Sequence, residues 1–393
     1  MQLVFEMERS SLALYIHWPF CKIKCPYCDF NSYKRESTSQ SHWLKAYLRA
    51  LEFWCARLDR REISSIFFGG GTPSLLEPDF VATLLQKTDS LWSISSDCEI
   101  TIEANPNSVS ANKFKLFRDI GINRVSVGVQ ALNNKDLDNL GRDHSKDQAI
   151  EAIEIINNLF KNYNLDFIYG RQHQSTSEWK DELTQIISLE APHLSLYQLT
   201  IEENTNFHKL LKRGLLKGLP THKIVSDMFD ITKQLCRNGG YKQYETSNYA
   251  KRGYKCKHNL SYWKYSDYLG IGPGAHGRVN ISGERYAIEE EKNPDIWFKK
   301  TVSINSTTPK ITPIDKRVAF EEKLIMNLRI GQKIPISIFD YETLYPVVID
   351  LEENNLIKLK DDNIVLRKRG AKMLDYVTRS LIDCYNDSDL HYF

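Results

Sequence analysis

Residues 12–32 read Leu12-Ala13-Leu14-Tyr15-Ile16-His17-Trp18-Pro19-Phe20-Cys21-Lys22-Ile23-Lys24-Cys25-Pro26-Tyr27-Cys28-Asp29-Phe30-Asn31-Ser32. The apolar run Leu12 to Ile16 is expected to form a strand. The three cysteines after it, separated by three and then two residues, fall in the loop from that strand to the first helix. Three thiolates are one too few for a closed structural zinc site, or for an iron-sulfur cluster held by protein alone. No fourth cysteine and no nearby pair of histidines completes the set. A cubane on three thiolates leaves one iron open to a small molecule that binds through nitrogen and oxygen, and chemistry would occur at that iron. The same spacing also admits zinc with a distant ligand such as Cys55 or Cys98, or cysteines that are simply core.

Outward from this loop, short apolar runs alternate with amphipathic stretches. Strands are expected at Ala13 to His17, Ser65 to Phe68, Glu99 to Glu103, Arg124 to Val127, Leu165 to Ile168 and Leu194 to Tyr197. Helices are expected at Trp43 to Leu58, Asp79 to Leu91, Ala111 to Ile120, Lys146 to Phe160 and Glu178 to Leu189. Repeated strand-then-helix units imply a parallel sheet with right-handed crossovers, and six of them fit an α/β fold of the partial (β/α)6, TIM-like kind. Gly69-Gly70-Gly71-Thr72-Pro73, Glu103-Ala104-Asn105-Pro106, Gln130 and Asp166 each fall at or just after a strand. Active sites of parallel barrels occupy that edge.

The 393 residues suggest one large domain and a smaller one. With 52 basic and 50 acidic side chains the net charge is +2, which gives no bulk electrostatic case for nucleic acid or a strongly anionic membrane. Eight cysteines without an even framework do not read as a secreted disulfide scaffold. Met1 to Ser11 carries Glu6 and Glu8 and no continuous apolar segment, so no signal peptide is expected. No apolar run approaches the ~18 residues of a membrane span. A cytoplasmic location follows, with any membrane contact peripheral; the oligomeric state stays open.

After about residue 200 the alternation stops, and the expected division is 1–200, 201–305 and 306–393. Asn204 to Gly218 reads as a connection, Ile224 to Cys236 as a helix, and Tyr241 to Gly277 is rich in aromatics and glycine. Glu284 to Pro309 reads as loops plus one short helix. Helices at Arg317 to Asn327, Ser337 to Thr343, Val347 to Asn355 and Ala371 to Leu381 surround a hairpin, Ile357 to Leu359 and Val365 to Arg367, turned by Asp361-Asp362-Asn363. That order resembles a winged helix. Its candidate recognition segment carries Asp350, Glu352 and Glu353, which repel phosphate, so no nucleic-acid role is expected.

The cysteine spacing with Tyr27 resembles the radical S-adenosylmethionine (SAM) superfamily. The resemblance implies a [4Fe-4S] cluster on Cys21, Cys25 and Cys28, whose unique iron chelates the amino and carboxylate groups of SAM. An electron passed into the sulfonium would release methionine and a 5'-deoxyadenosyl radical. By itself the glycine run is a turn that brings backbone close to a ligand, and no Gly-Lys-Ser/Thr makes it a P-loop. Within the resemblance, Gly70, Gly71 and Thr72 match the motif that receives the methionine ammonium. Glu103 in Glu-x-Asn-Pro is similar to the ribose-contacting motif of oxygen-independent coproporphyrinogen III oxidases and their relatives. Tyr15, Tyr27, Gln130, Arg142 and Asp166 are likewise similar to that family's SAM contacts, and the resemblance runs from about Leu12 to the C-terminus.

Two departures separate this chain from the oxidases: Phe30 stands where they carry a further cysteine, and only 20 residues precede Cys21. Cys28-Asp29-Phe30-Asn31-Ser32, Tyr244 to Tyr249 and His258-Asn259-Leu260-Ser261-Tyr262-Trp263 resemble the HemW-type heme chaperones instead. The resemblance implies heme as cargo, delivered to acceptor hemoproteins such as respiratory enzymes, with His258 the candidate heme contact. The blander reading of His258 is a satisfied core histidine beside structural aromatics. Cys256 reads as a small buried residue, and His276, in the glycine-rich Tyr268 to Gly277, as a residue of the SAM pocket. Arg171, in Gly170-Arg171-Gln172 where relatives show Gly-Leu-Pro, reads as a flexible charge at the cavity edge. Whether the chain is an enzyme is left open. The rivals are a coproporphyrinogen III oxidase and a radical SAM enzyme on another substrate.

Overall fold

The computed structural model describes residues 11–35, 38–303 and 309–384. Nearly all of the stretch read for a signal peptide, and the expected division near residue 305, lie outside them. The first half forms β1 (Leu12–Trp18), α1 (Gln40–Cys55), β2 (Ile63–Gly70), α2 (Pro78–Trp92), β3 (Ile94–Ala104), α3 (Ala111–Asp119), β4 (Arg124–Gln130), α4 (Lys146–Leu159), β5 (Asn162–Tyr169), α5 (Thr176–Ser188) and β6 (His193–Gln198). The six strands lie in sequence order and pair in parallel throughout. Local sequence sets the helix starts: Ser145 with Gln148 and Ser175 with Glu178 form capping boxes at α4 and α5. The partial barrel expected from the alternation is the one present.

Parallel strands covered on both faces usually read as continuous apolar runs. Here they alternate. Ile100, Ile102, Val125, Val127, Leu165 and Leu194 are buried in the hydrophobic core. Between them Glu103, Arg124, Ser126, Asn164, Asp166 and Ser195 line the barrel's cavity. The barrel thus has an apolar outer wall and a polar lumen, which suits a ligand chamber rather than a packed barrel interior.

The second half extends the same sheet. It contributes α6 (His222–Asn238), α7 (Lys257–Trp263), β7 (Tyr268–Ile271) and α8 (Pro294–Val302). β7 pairs in parallel with β1, and antiparallel strands His276–Ile281, Glu284–Glu289 and Lys310–Pro313 follow outward. At the β6 side Asn248–Ala250 and Lys242–Gln243 complete the sheet. The expectation of loops from residue 284 needs correcting at Glu284–Glu289. That segment is a strand because Ser282 and Gly283, both at positive φ (54° and 89°), make a two-residue hairpin turn with His276–Ile281. The connection from residue 204 also holds a short helix, Asn206–Lys212, capped by Thr205.

The C-terminal unit packs α9 (Lys316–Arg329), Tyr341–Glu353 and Leu374–Ile382 around a three-stranded antiparallel sheet, with its own hydrophobic cluster starting at Phe320. The winged-helix-like order is as expected, with two local corrections. A 3-10 turn, Ile336–Ile338, and one helix, Tyr341–Glu353, replace two short helices; the helix runs through Pro346, which forfeits a bond to the carbonyl of exposed Glu342. The last helix is interrupted at Met373. Because Lys310–Pro313 belongs to the large sheet, we propose that the C-terminal unit begins between Pro313 and Lys316.

Candidate cofactor site

The C-terminal ends of the barrel strands open into a cavity of about 540 Å³. Cys21, Cys25 and Cys28 line it together with every residue expected to contact SAM, from Tyr15 to Asp166, and with His258. The cysteine loop is tied at its base by a parallel two-strand pairing, Phe20 with Tyr33 and Cys21 with Lys34. Cys28 N–H donates to the Cys25 carbonyl, 3.1 Å, and tightens the turn between them. The glycine run docks directly against this loop: Gly71 N–H donates to Trp18 O, 2.6 Å, and Thr72 N–H to Phe20 O, 2.9 Å. A Cβ on Gly71 would lie 2.7 Å from the Phe20 carbonyl oxygen, and Gly70 holds φ at +112°. Both positions therefore require glycine.

The donor set, three thiols on one loop facing the cavity, is of the chemistry that an iron-sulfur cluster takes. Among the described residues no group of three or more His, Cys, Asp or Glu is placed to hold one metal ion. The three thiols share the cavity wall. Cys55 and Cys98, the distant candidates for zinc, do not line the cavity. Burial pushes the Cys21 and Cys28 thiols up, and a bound cation favours the thiolate against that burial. Arg142 supplies a fixed positive charge beside them. Its Nη1 donates to Cys25 Sγ and to Tyr27 Oη, both 3.4 Å, and its Nη2 to Asn105 Oδ1, 2.7 Å, and Gly128 O, 3.0 Å.

Glu103 and Asp166 line the same cavity from the ends of β3 and β5. Glu103 Oε2 accepts from Gly70 N–H, 3.0 Å, yet burial, followed by the Asp166 charge, pushes its carboxyl up to about 8. Asp166 is also raised by burial, against hydrogen bonds from Asn164 Nδ2, 2.6 Å, and Ser126 Oγ, 3.2 Å. Gln130 ends β4 at a φ of +72°, and Arg171 Nη1 donates to its carbonyl, 3.3 Å. Arg171 is not the flexible charge expected. It is 3% exposed, donates to Ile168 O, 2.6 Å, and is paired with Glu182 and with Asp136, 2.8 Å. The buried Glu182 draws it inward, away from the cavity.

His258 is 1% exposed, with Nδ1 hydrogen-bonded to Ser65 Oγ, 2.9 Å, and Nε2 to Tyr262 Oη, 2.7 Å. Burial, then the Arg124 charge, depresses its pKa to about 3, so the ring is neutral. Cys256 is buried against Glu99, its thiol pushed up to about 12 by burial. His276 lines an adjoining cavity of about 470 Å³ and not the first one. Sequence reasoning missed Arg124, 2% exposed, which lines the cavity with its Nε unbonded and 3.9 Å from Glu99. The alternation in Arg124-Val125-Ser126-Val127 sets Arg124 on the polar face of its strand but does not say whether that face meets solvent or a cavity.

Residues 15–186 match the sequence pattern of the Radical SAM superfamily. Heme chaperone HemW of Escherichia coli (strain K12) is 43% identical over 276 residues, 70% of this chain and 72% of that protein. The chain belongs to the HemW family. A mitochondrial relative from Bos taurus, radical S-adenosyl methionine domain-containing protein 1, is 31% identical over 94% of this chain and 87% of its own. The solved structure of coproporphyrinogen III oxidase (HemN) from Escherichia coli superposes with a TM-score of 0.80 over 96% of this chain and 90% of that one, at 18% identity, and so shares the fold. As a radical SAM protein of the HemW family, the chain takes a [4Fe-4S] cluster and SAM as cofactors. Among the described residues no helix is long and apolar enough to cross a membrane.

Proposed function

We propose that this HemW-family chain binds heme and hands it to acceptor hemoproteins such as respiratory enzymes, from the cytoplasm and with at most peripheral membrane contact. Its similarity to a relative named as a heme chaperone over 70% of its length carries the reading. Cys21, Cys25 and Cys28 hold the cluster. When bound, cluster and SAM supply one-electron chemistry at a sulfonium. Gly70, Gly71 and Thr72 receive the amino-acid end of SAM, Glu103 and Asp166 face its ribose, and Tyr15, Tyr27 and Gln130 wall the pocket. Arg142 fixes the thiolate loop to the third and fourth strands. Phe30, 57% exposed on the cavity wall, puts an apolar ring where an oxidase would carry a cysteine, which argues against porphyrinogen decarboxylation.

The test is anaerobic incubation of the reconstituted protein with coproporphyrinogen III, SAM and reductant, beside a heme titration. Saturable heme binding without porphyrin product is expected. Turnover to protoporphyrinogen IX would overturn the reading and make the chain an oxidase. In the triple variant Cys21→Ala, Cys25→Ala, Cys28→Ala, iron, sulfide and visible absorbance should be lost from a folded chain; retained cluster iron would refute the ligand set.

A further inference from the structure

The cavity holding the cysteines is committed to cluster and SAM, so a large flat cargo needs space of its own. The adjoining 470 Å³ cavity lies within the roughly 300–1,000 Å³ usual for cofactor sites. It is formed where α7, β7 and the strand starting at His276 meet α9 of the C-terminal unit. Tyr262, Trp263, Tyr268 and Phe30 line it, and Tyr262 and Tyr268 pack edge to face with ring centroids 4.5 Å apart. Such a wall suits a planar apolar macrocycle. Arg278 lines the same wall with its guanidinium paired at two points with Glu322, Nε to Oε2 at 3.1 Å and Nη2 to Oε1 at 2.9 Å.

Heme iron is held by an imidazole, a thioether, a thiolate or a phenolate. Among the described residues no cysteine lines this cavity, and burial pushes the phenols of Tyr15, Tyr262, Tyr265 and Tyr268 up, away from the phenolate that would bind iron, which leaves imidazole and thioether. Three histidines line the two cavities. His17 gives Nδ1 to Tyr15 Oη, 3.1 Å, and Nε2 to Asn31 O, 2.9 Å. His258 gives both nitrogens to Ser65 and Tyr262. His276 is exposed and, among the described residues, neither ring nitrogen is hydrogen-bonded. It shares its strand face with Arg278, two residues on, and both line the aromatic cavity. Partial desolvation against the cavity wall lowers its pKa from the usual 6.5, so the ring is neutral and ready to donate at neutral pH.

Resting on the heme-chaperone reading, we propose that heme docks in this aromatic cavity with His276 as an axial ligand to iron, and that His258 acts indirectly by holding Tyr262 in the wall. The thioether of Met326, on the α9 side, is the other soft donor in the cavity. His276 Nε2 or Nδ1 donates its lone pair to ferric iron with no proton or electron exchanged, because the imidazole is already neutral. Cluster and heme thereby occupy neighbouring cavities that share Tyr15, Phe30, Gly70, Glu103 and Tyr262.

The experiment is an anaerobic titration of the cluster-reconstituted protein, with SAM, using ferric heme and following absorbance and electron paramagnetic resonance. His276→Ala should weaken heme binding at least roughly tenfold, the loss seen even for residues one shell removed from a metal. It should also abolish the imidazole-ligand signature, which added imidazole restores, while cluster content and SAM affinity stay at the unmutated level. His258→Gln should keep that signature even where affinity falls. The proposal is overturned if His276→Ala retains the unmutated spectrum and affinity, or if it loses SAM binding along with heme. Failure of the unmutated protein to bind heme saturably would overturn the chaperone reading itself.

Discussion

Glu103 is the residue whose protonation most directly couples the cavity to stability. Its carboxyl in the folded chain sits at about 8 against an ordinary 4.5, so the folded form holds the proton more tightly than the unfolded one. The resulting stabilisation is full below the ordinary value and is lost as pH rises through about 8. Without SAM, the stability of the unmutated protein relative to Glu103→Gln should fall by on the order of several kcal/mol between about pH 5 and pH 8, at about 1.4 kcal/mol per pKa unit. Urea unfolding at several pH values measures it, and parallel curves for the two proteins would contradict the burial of an ionisable Glu103. Arg171 makes the opposite case, a buried charge already paired. Arg171→Met leaves the Glu182 carboxylate buried without its partner and should cost about 3–5 kcal/mol. A change below about 1 kcal/mol on thermal or urea unfolding would show that the pair is not what holds that turn. At this scale Glu103, Gln130 and Asp166 were legible because each sits in a motif at a strand end. Arg124 and Glu99 were not, because a polar residue alternating with valine or isoleucine in a strand reads equally well as solvent-facing.

The cysteine loop and the glycine run behave as one element because backbone amides of Gly71 and Thr72 are bonded to carbonyls of Trp18 and Phe20. Gly71→Ala places a methyl against the Phe20 carbonyl, which cannot give way as a flexible side chain would. It should destabilise by about 1–3 kcal/mol and lower the iron and sulfide taken up on reconstitution. Uptake equal to the unmutated protein would separate the two segments. The barrel strands and helices were legible to within a few residues, since period-2 and period-3.6 patterns are strongest where an element is long and one face is buried. The strand Glu284–Glu289 was hidden by its charged ends and revealed only by its partner across Ser282-Gly283. Pro346 hid the continuity of Tyr341–Glu353, because a proline inside a helical pattern reads as a break.

At the scale of the whole molecule, a barrel carrying cluster and SAM is joined through one continuous sheet to strands that α9 of the C-terminal unit meets at Arg278. Glu322 and Met326 of α9 reach the aromatic cavity, and Tyr265 Oη donates to Glu322 Oε2, 2.7 Å, across that junction. The barrel and its site were legible because the cysteines, glycines and acidic residues are short-range motifs. The second cavity was not, because its walls come from residues separated by almost 300 positions, Phe30 to Met326, which only the folded sheet brings together. The measurement that bears most directly on heme delivery is the transfer rate. Heme-loaded protein is mixed with the heme-free form of a respiratory hemoprotein, beside a control with an inert heme scavenger that reports passive loss. Transfer faster than passive loss, and saturating with acceptor concentration, is predicted. A rate equal to passive loss at every acceptor concentration would contradict delivery and leave the chain a heme-binding protein only.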